Sequence, residues 1–181
     1  MGKYFLFRLL CFCALFAAAQ DTMQKKIIVA AEVGSPGVGL SAEWNHGSHF
    51  TVETSAFLGP SYNFEDEFLA FILTPSYSRP AVRFSVTPRL YVNMKDRLRP
   101  RKRKYTQVDL YLGFSYSYVT SSFDGFNPNA HLFTGHLGFR QFFSERGIIT
   151  AHLGLGNAAS WQAIASTLYP SLSLKIGYRL N

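Results

Sequence analysis

The chain has 181 residues, of which 48% are hydrophobic and 16% aromatic, and its formal charge at neutral pH is +7. This length fits one domain, and beyond residue 19 no stretch reaches the roughly eighteen consecutive apolar residues of a membrane helix. Much of the positive excess lies between Lys95 and Lys104, so the charge predicts a local basic patch and excludes a general nucleic-acid-binding surface.

The first nineteen residues have the pattern of a secretory signal peptide. Lys3 and Arg8 give a positive start, and an apolar run follows from Leu9 to Ala19. Ala17–Ala19 before Gln20 matches a small-residue cleavage site. The sequence therefore predicts a signal peptide over residues 1–19 and a mature domain over residues 20–181.

Both cysteines of the chain fall inside this predicted signal. Cys11 follows Leu10 and Cys13 follows Phe12, whereas a lipid-modified cysteine needs a small residue before it. The mature domain is therefore predicted to lack lipidation, disulfides and thiol chemistry.

The segment Val82–Lys95 alternates between apolar and polar residues along its whole length. Because side chains of a strand alternate between its two faces, this run predicts one apolar and one charged face. Fourteen residues are long for a soluble strand and sufficient to cross a bilayer at a tilt.

The same alternation of apolar and polar residues recurs along the chain and predicts an all-β fold. The predicted strands are 25–34, 37–45, 48–59, 82–95, 105–119, 132–143, 148–156 and 168–180. The long connections Pro60–Ala81, Thr120–His131 and Asn157–Thr167 all fall on one end, as in an eight-stranded antiparallel up-and-down transmembrane β-barrel. A soluble β-sandwich is the alternative, but that fold gives no reason for all the long connections to fall on the same end.

Two features do not fit this scheme simply. The connection Gly34–Gly37 is so tight that strands one and two could form a single bent strand. Pro88 lies in the middle of a strand, where its missing N–H predicts a β-bulge.

The apolar rows are expected to face lipid and the opposite rows to face a narrow interior. The titratable side chains expected inside are Glu32, Glu43, Glu53, Asp109, Arg83, Arg89, Lys95, Arg140, Lys175, Arg179, His136 and His152. Because unpaired buried charge is costly, these groups should pair or hydrogen-bond. The inward glycines Gly113, Gly138, Gly154 and Gly177 are expected to make room for the long arginines. A plug of ion pairs is favoured over an open pore, since aqueous channels need more strands.

Aromatic residues near the strand ends predict girdles at the two membrane interfaces. The candidates are Tyr116 and Tyr118 at the outer rim, with Trp44, Phe142, Phe143 and Tyr178 at the inner rim.

In addition to the eight amphipathic segments, the chain has three sequence motifs. They are the A-A-A-Q end of the signal, T-P-R-L-Y-V-N-M-K at Thr87–Lys95, and S-L-S-L-K-I-G-Y-R-L-N at Ser171–Asn181. Together they resemble the small outer-membrane β-barrel proteins (porin-family, OmpA/OmpX-like) of Gram-negative bacteria. The resemblance implies location in the cell outer membrane, contact with lipid and lipopolysaccharide, and a monomer. It implies architecture more specifically than activity.

Some eight-stranded barrels of this kind modify lipid A, so a catalytic role is an alternative. His131, His136 and His152 could serve a serine nucleophile such as Ser144 or Ser160, but no His-x-Ser-Asn signature is present. His46 and His49 flank a turn and share no spacing with carboxylates that indicates a metal. We therefore expect no catalytic, cofactor-binding or metal-binding residues and no cofactor.

Two charged segments suggest partners. Tyr62–Phe68, acidic and aromatic, would lie in an external loop as a solvated segment or a contact for sugars or cations. Arg97–Lys104 would face the periplasm, where anionic headgroups or cell-wall polymer could bind; nucleic acid is not expected. The sequence thus predicts a non-catalytic outer-membrane barrel with a structural or surface-interaction role, the alternatives being a narrow pore, a transport accessory or, less favoured, a lipid A-modifying enzyme.

Overall fold

The computed structural model describes residues 27–46, 49–63, 74–92, 108–125, 127–160 and 165–180. The predicted signal peptide over 1–19, the basic segment Arg97–Lys104, Lys95 and residues 64–68 of the acidic segment lie outside these ranges.

Eight antiparallel strands form one closed barrel in which each strand pairs with its sequence neighbour and the last pairs with the first. The strands are β1 (Ile27–Gly34), β2 (Gly37–His46), β3 (Phe50–Asn63), β4 (Thr74–Tyr91), β5 (Val108–Val119), β6 (Ala130–Phe142), β7 (Gly147–Ser160) and β8 (Ala165–Arg179). The predicted all-β, eight-stranded up-and-down barrel is confirmed. Below, the lower end is the one where β1 begins and β8 ends.

The period-two pattern sets which face of each strand turns inward. Along β5, exposed and buried residues alternate strictly from Val108 to Ser117. Asp109, Tyr111 and Ser117 point into the barrel, while Leu112 points outward and is 55% exposed. The same division holds on the other strands, so the expected assignment of inner and outer rows is confirmed.

β1 and β2 are separate strands joined by a tight hairpin. Their register runs from Ile27 opposite Trp44 to Gly34 opposite Gly37. The alternative of a single bent strand is therefore wrong. Gly37 has a φ of 114°, which glycine adopts readily and other residues rarely do.

The predicted bulge at Pro88 is also wrong. Val86 pairs with Tyr116 and Arg89 with Gly113, so the ladder to β5 skips two residues without a change of register. Pro88 has no N–H to donate, and the ladder to β5 is interrupted at Thr87 and Pro88 while the strands stay in register.

The register shift in this part of the sheet lies between Pro60 and Ser61. Pro60 and Pro80, which suggested a loop in the sequence, lie opposite each other within the β3–β4 ladder. The loop predicted over Pro60–Ala81 is therefore partly strand, because β3 and β4 extend to Asn63 and back to Thr74.

We expect Gly37→Ala to lower the free energy of unfolding by about 2 kcal/mol or more. The new Cβ would meet the backbone carbonyl of Leu58, and the positive φ would be strained. The matched control is Gly135→Ala, because nothing lies within 4 Å of the Cβ added there. Urea unfolding in detergent micelles measures both, and equal losses would contradict this account of the hairpin.

Candidate functional site

The barrel interior is arranged in three layers along its axis. The lower layer is an apolar cluster of Ile28, Ala30, Phe142 and Ile148. The upper layer is a second apolar cluster, against which Tyr62 and Tyr169 pack: Ala81, Val119, Ala130, Leu132 and Ala158. Charged and aromatic side chains fill the layer between them. The polar centre is thus enclosed by apolar packing at both ends.

A chain of alternating charges runs through the central layer. Its members, in order of contact, are Arg140, Glu43, Arg89, Glu53, Lys175 and Glu32. We call this set the charge chain. It joins six of the eight strands, namely β6, β2, β4, β3, β8 and β1.

The contacts within the charge chain are short. Arg89 Nη1 lies 2.6 Å from Glu53 Oε2 and 3.3 Å from Glu43 Oε2. Lys175 Nζ lies 2.9 Å from both Glu53 Oε1 and Glu32 Oε2. Arg140 completes the chain by pairing with Glu43. Because three carboxylates balance three cations among buried side chains, each charge has the compensation that burial requires.

The sequence prediction of paired interior charges is therefore confirmed for these six residues. Asp109 is buried and lies opposite Arg140 in the β5–β6 register. Arg83 differs, because its described partners are hydroxyls: Nη2 donates to Ser117 Oγ at 3.1 Å and Nη1 to Tyr62 OH at 3.3 Å.

Aromatic rings fill the remaining space beside the charge chain. The Arg89 guanidinium lies over the Tyr111 ring, 4.8 Å from its centroid, and Tyr91 packs on the same ring at 5.3 Å. His136 contacts Tyr111 edge-on and stacks on His152 with ring centroids 4.3 Å apart. The interior position predicted for both histidines is confirmed.

Neither ring nitrogen of His136 has a hydrogen-bond partner among the described residues. His131 lies apart from this pair, at the outer surface of the upper rim, where its Nδ1 is 2.9 Å from Tyr116 OH. Ser144 lies at the opposite, lower end, in the turn between β6 and β7. The candidate His131–Ser144 combination is thus not brought together.

The expected role of the inward glycines is wrong. A Cβ at Gly113 would meet the His136 ring, one at Gly138 the Tyr111 ring, and one at Gly177 the side chain of Glu32. These three glycines make room for rings and a glutamate, and a Cβ at Gly154 would meet the backbone of Gly135 and the base of His136. No arginine is among these nearest neighbours. The sequence could not show this, because the register between paired strands decides which side chain lies across from a glycine.

The aromatic residues near the strand ends divide into two groups. Phe142 was expected at the outer surface of the inner rim, but it is 7% exposed and belongs to the lower apolar layer. Tyr178 does face outward, where Arg146 Nη1 donates to its hydroxyl at 3.1 Å. Tyr116 contacts Phe133 on the outer surface of the upper rim.

The connection between β5 and β6 folds over the upper end of the barrel. Asn127, 1% exposed, donates through Nδ2 to Ser61 Oγ at 2.7 Å and accepts from Arg79 Nη1 at 3.3 Å. Its backbone N–H donates to Ser122 Oγ at 2.9 Å. Asn127 therefore fixes this loop to the β3–β4 hairpin. Sequence reasoning missed it, because an asparagine in a loop carries no signal of burial.

Comparison of the chain with protein-family models, with curated proteins and with solved structures finds no match. Within the described ranges, no helix is long and apolar enough to cross a membrane. No group of three or more His, Cys, Asp or Glu side chains in the same ranges is arranged to hold a metal ion. The function therefore has to be argued from the barrel geometry.

The charge chain predicts strong coupling between its members. We expect Glu53→Gln and Lys175→Met each to cost about 3–5 kcal/mol of unfolding free energy, because each leaves a partner charge buried. The double variant should cost less than the sum by about 1–3 kcal/mol. Urea unfolding in micelles measures the cycle.

The matched control is the partly exposed pair Arg79–Asp124, whose Nε and Oδ2 atoms are 3.4 Å apart. The cycle of Arg79→Met and Asp124→Asn should give a coupling below about 1 kcal/mol. Equal coupling free energies in the two cycles would show that burial does not strengthen the interaction between the charges.

Proposed function

We propose that this chain is an integral protein of a Gram-negative outer membrane, with a structural or surface-interaction role and a filled, non-conducting barrel. The observation that carries the proposal is the reversed distribution of polarity, with charged residues inside the barrel and a mostly apolar outer surface that carries no charged side chain on its membrane-facing rows. The resemblance to porin-family, OmpA/OmpX-like barrels agrees with it.

The apolar surface extends around the whole barrel. The outward-facing rows of the strands contain no Asp, Glu, Lys or Arg. This holds over 27–33, 38–44, 50–58, 82–92, 108–118, 133–141, 149–159 and 168–180. Leu155 and Leu172 on this surface are 75% and 76% exposed. A soluble protein rarely leaves so large an apolar area in water, and a belt around a closed barrel suits a bilayer.

The height of this surface supports the same conclusion. β5 has twelve residues. At about 3.3 Å per residue and a tilt of about 40°, such a strand spans roughly 30 Å, close to the ~25 Å apolar band of outer-membrane barrels. Tyr116 near the upper end and Tyr178 near the lower end stand where aromatic residues meet headgroups.

The packed interior supports a non-conducting role. Eight strands enclose little more than the volume of their own side chains. Here the charge chain occupies the centre, and apolar layers close both ends. A narrow pore is the alternative, and it requires these layers to open. Contacts of Arg97–Lys104 with anionic headgroups or cell-wall polymer, and of the upper loops with lipopolysaccharide, are part of the proposal.

Nitroxide labels test the belt. Labels on Leu110→Cys and Leu153→Cys in reconstituted vesicles should be accessible to oxygen and protected from a water-soluble nickel complex. A label on Ser144→Cys, in the β6–β7 turn, should show the opposite preference and serves as the control. If all three labels report water, the barrel does not span the bilayer.

Planar-bilayer recordings test the filled interior. The purified wild-type protein should produce no discrete conductance steps, because both ends of its interior are closed by apolar packing. A sixteen-stranded porin recorded in the same membrane confirms that steps are detectable. Reproducible steps from the wild-type barrel would favour the narrow-pore alternative.

A further inference from the structure

Among the described residues, no strand fills the barrel wall above the β1–β2 hairpin. β8 pairs with β1 only between Arg179 and Lys175, although it pairs with β7 as far as Ala165. β3 pairs with β2 only as far as Leu58, although it pairs with β4 as far as Asn63. Within the described residues, the upper parts of β8 and β3 therefore border a gap. We call it the lateral notch.

The floor of the lateral notch is fixed by the hairpin turn. Ser35 N–H donates to the carbonyl of Leu174 at 3.0 Å, and Ser35 Oγ donates to Ser173 Oγ at 3.0 Å. The turn is thus held against β8 and leaves the segments above it without a strand between them.

Prolines stand on both edges of the lateral notch. The Leu174 carbonyl points toward β1, so by the alternation of an antiparallel strand the backbone of Pro170 also points toward that side. The carbonyl of Leu58 lies against Gly37 on β2, and Pro60 is two residues further along the same edge. Pro170 is exposed, whereas Pro60 is buried. Because an unpaired N–H in hydrocarbon costs several kcal/mol, proline, which has none, suits the exposed position on β8 and leaves no unpaired N–H at the buried position on β3.

A cavity of about 160 Å³ lies behind the lateral notch. Its rim includes Pro36, Pro60, Pro170 and Leu172, and Arg83 and His152 also line it. Arg83 and His152 line a second, deeper cavity of about 40 Å³ as well. The path from the surface therefore leads from apolar residues to a cation.

Arg83 is an inward-facing cation that does not belong to the charge chain. It is half-buried, it donates to the hydroxyls of Tyr62 and Ser117, and no carboxylate lies within 4 Å of it among the described residues. A guanidinium has five N–H donors in a planar fork that matches a carboxylate. Arg83 thus retains donors and an unbalanced charge at a cavity that opens sideways.

We propose that the lateral notch binds one long-chain carboxylate of the fatty-acid type, with the carboxylate on Arg83 and the hydrocarbon chain in the surrounding lipid. This inference rests on the proposed membrane location. The size of the cavity favours a small polar group, because 160 Å³ is close to the volume of a cavity that admits benzene. A carboxylate with a few methylenes fits such a space, and the rest of the chain would lie outside it.

The outer surface beside the notch suits the rest of such a ligand. Leu168 and Leu172 on β8 are 61% and 76% exposed, and Leu58 on β3 is 46% exposed. They flank the opening with apolar surface, along which a hydrocarbon chain can lie without leaving the bilayer.

Binding of radiolabelled palmitate to the purified protein in neutral maltoside micelles tests the proposal, with protein-free micelles as background. We expect Arg83→Met to weaken palmitate binding about tenfold to a hundredfold, the loss of a charge-assisted hydrogen-bonded pair. The control Arg146→Met, on the exposed turn at the other end, should change it by less than about twofold. Hexadecanol, which has the same chain and no charge, should compete at least about tenfold less well.

A second pair of variants keeps Arg83 in place. Ser171→Phe would fill the cavity from its wall and should abolish binding, whereas Leu153→Phe, on the outward face of β7, should leave it intact. Heat-modifiable gel mobility shows that each variant retains its barrel.

The outcomes separate this inference from the proposed function. Absence of palmitate binding above the micelle background, or equal binding by wild type, Arg83→Met and Ser171→Phe, overturns the fatty-acid site and leaves the membrane barrel standing. Binding that follows Arg83, combined with nitroxide labels that report water, would support the contact between Arg83 and the carboxylate but would overturn both the membrane location and the placement of the hydrocarbon chain in lipid.

Discussion

The pairing of charges inside a space that only side chains can fill is the constraint on which this barrel depends. Closing eight strands leaves no room for bulk water, so a fully buried charge on an inward row is stabilised only by a partner of opposite charge there. The charge chain meets this requirement with three carboxylates and three cations drawn from six strands. Because the groups come from distant parts of the chain, they specify how the strands assemble as well as neutralising one another.

The rest of the molecule is arranged around this polar centre. Apolar layers separate it from both ends of the barrel, and Asn127 fastens the β5–β6 loop over the upper one. On the outside the order is reversed, and leucine, valine and phenylalanine face outward. Such an inverted distribution of polarity is unfavourable in water and favourable in a bilayer. It is the physical basis for proposing a membrane protein with a closed interior.

The lateral notch and the charge chain divide the interior arginines into two kinds. Arg89 and Arg140 are buried to 2% and 1% exposure and are held by carboxylates, so they serve the structure. Arg83 is held by hydroxyls and lines a cavity behind an opening in the wall. The shortness of the β1–β2 hairpin creates that opening, and the prolines on its edges reduce what it would otherwise cost in unpaired backbone. This difference suggests a structural role for Arg89 and Arg140 and a ligand-binding role for Arg83.

The inward and outward rows and the set of interior charges follow from the sequence, because a period-two pattern is local and can be read residue by residue. The strand number was predicted as eight, but the sequence left open whether the first two strands were one. The same alternation turns Phe142 inward with Arg140, although its position near a strand end suggested an aromatic girdle. Only the fold decided which side chains meet, such as which carboxylate contacts Arg89 and why Gly113 faces His136. These contacts depend on the register between strands and on the shear of the closed sheet, which join residues far apart in the chain. For the same reason, Pro88 suggested a bulge that the register does not show, and the lateral notch could not be foreseen. It exists only because two neighbours of a short hairpin extend beyond it.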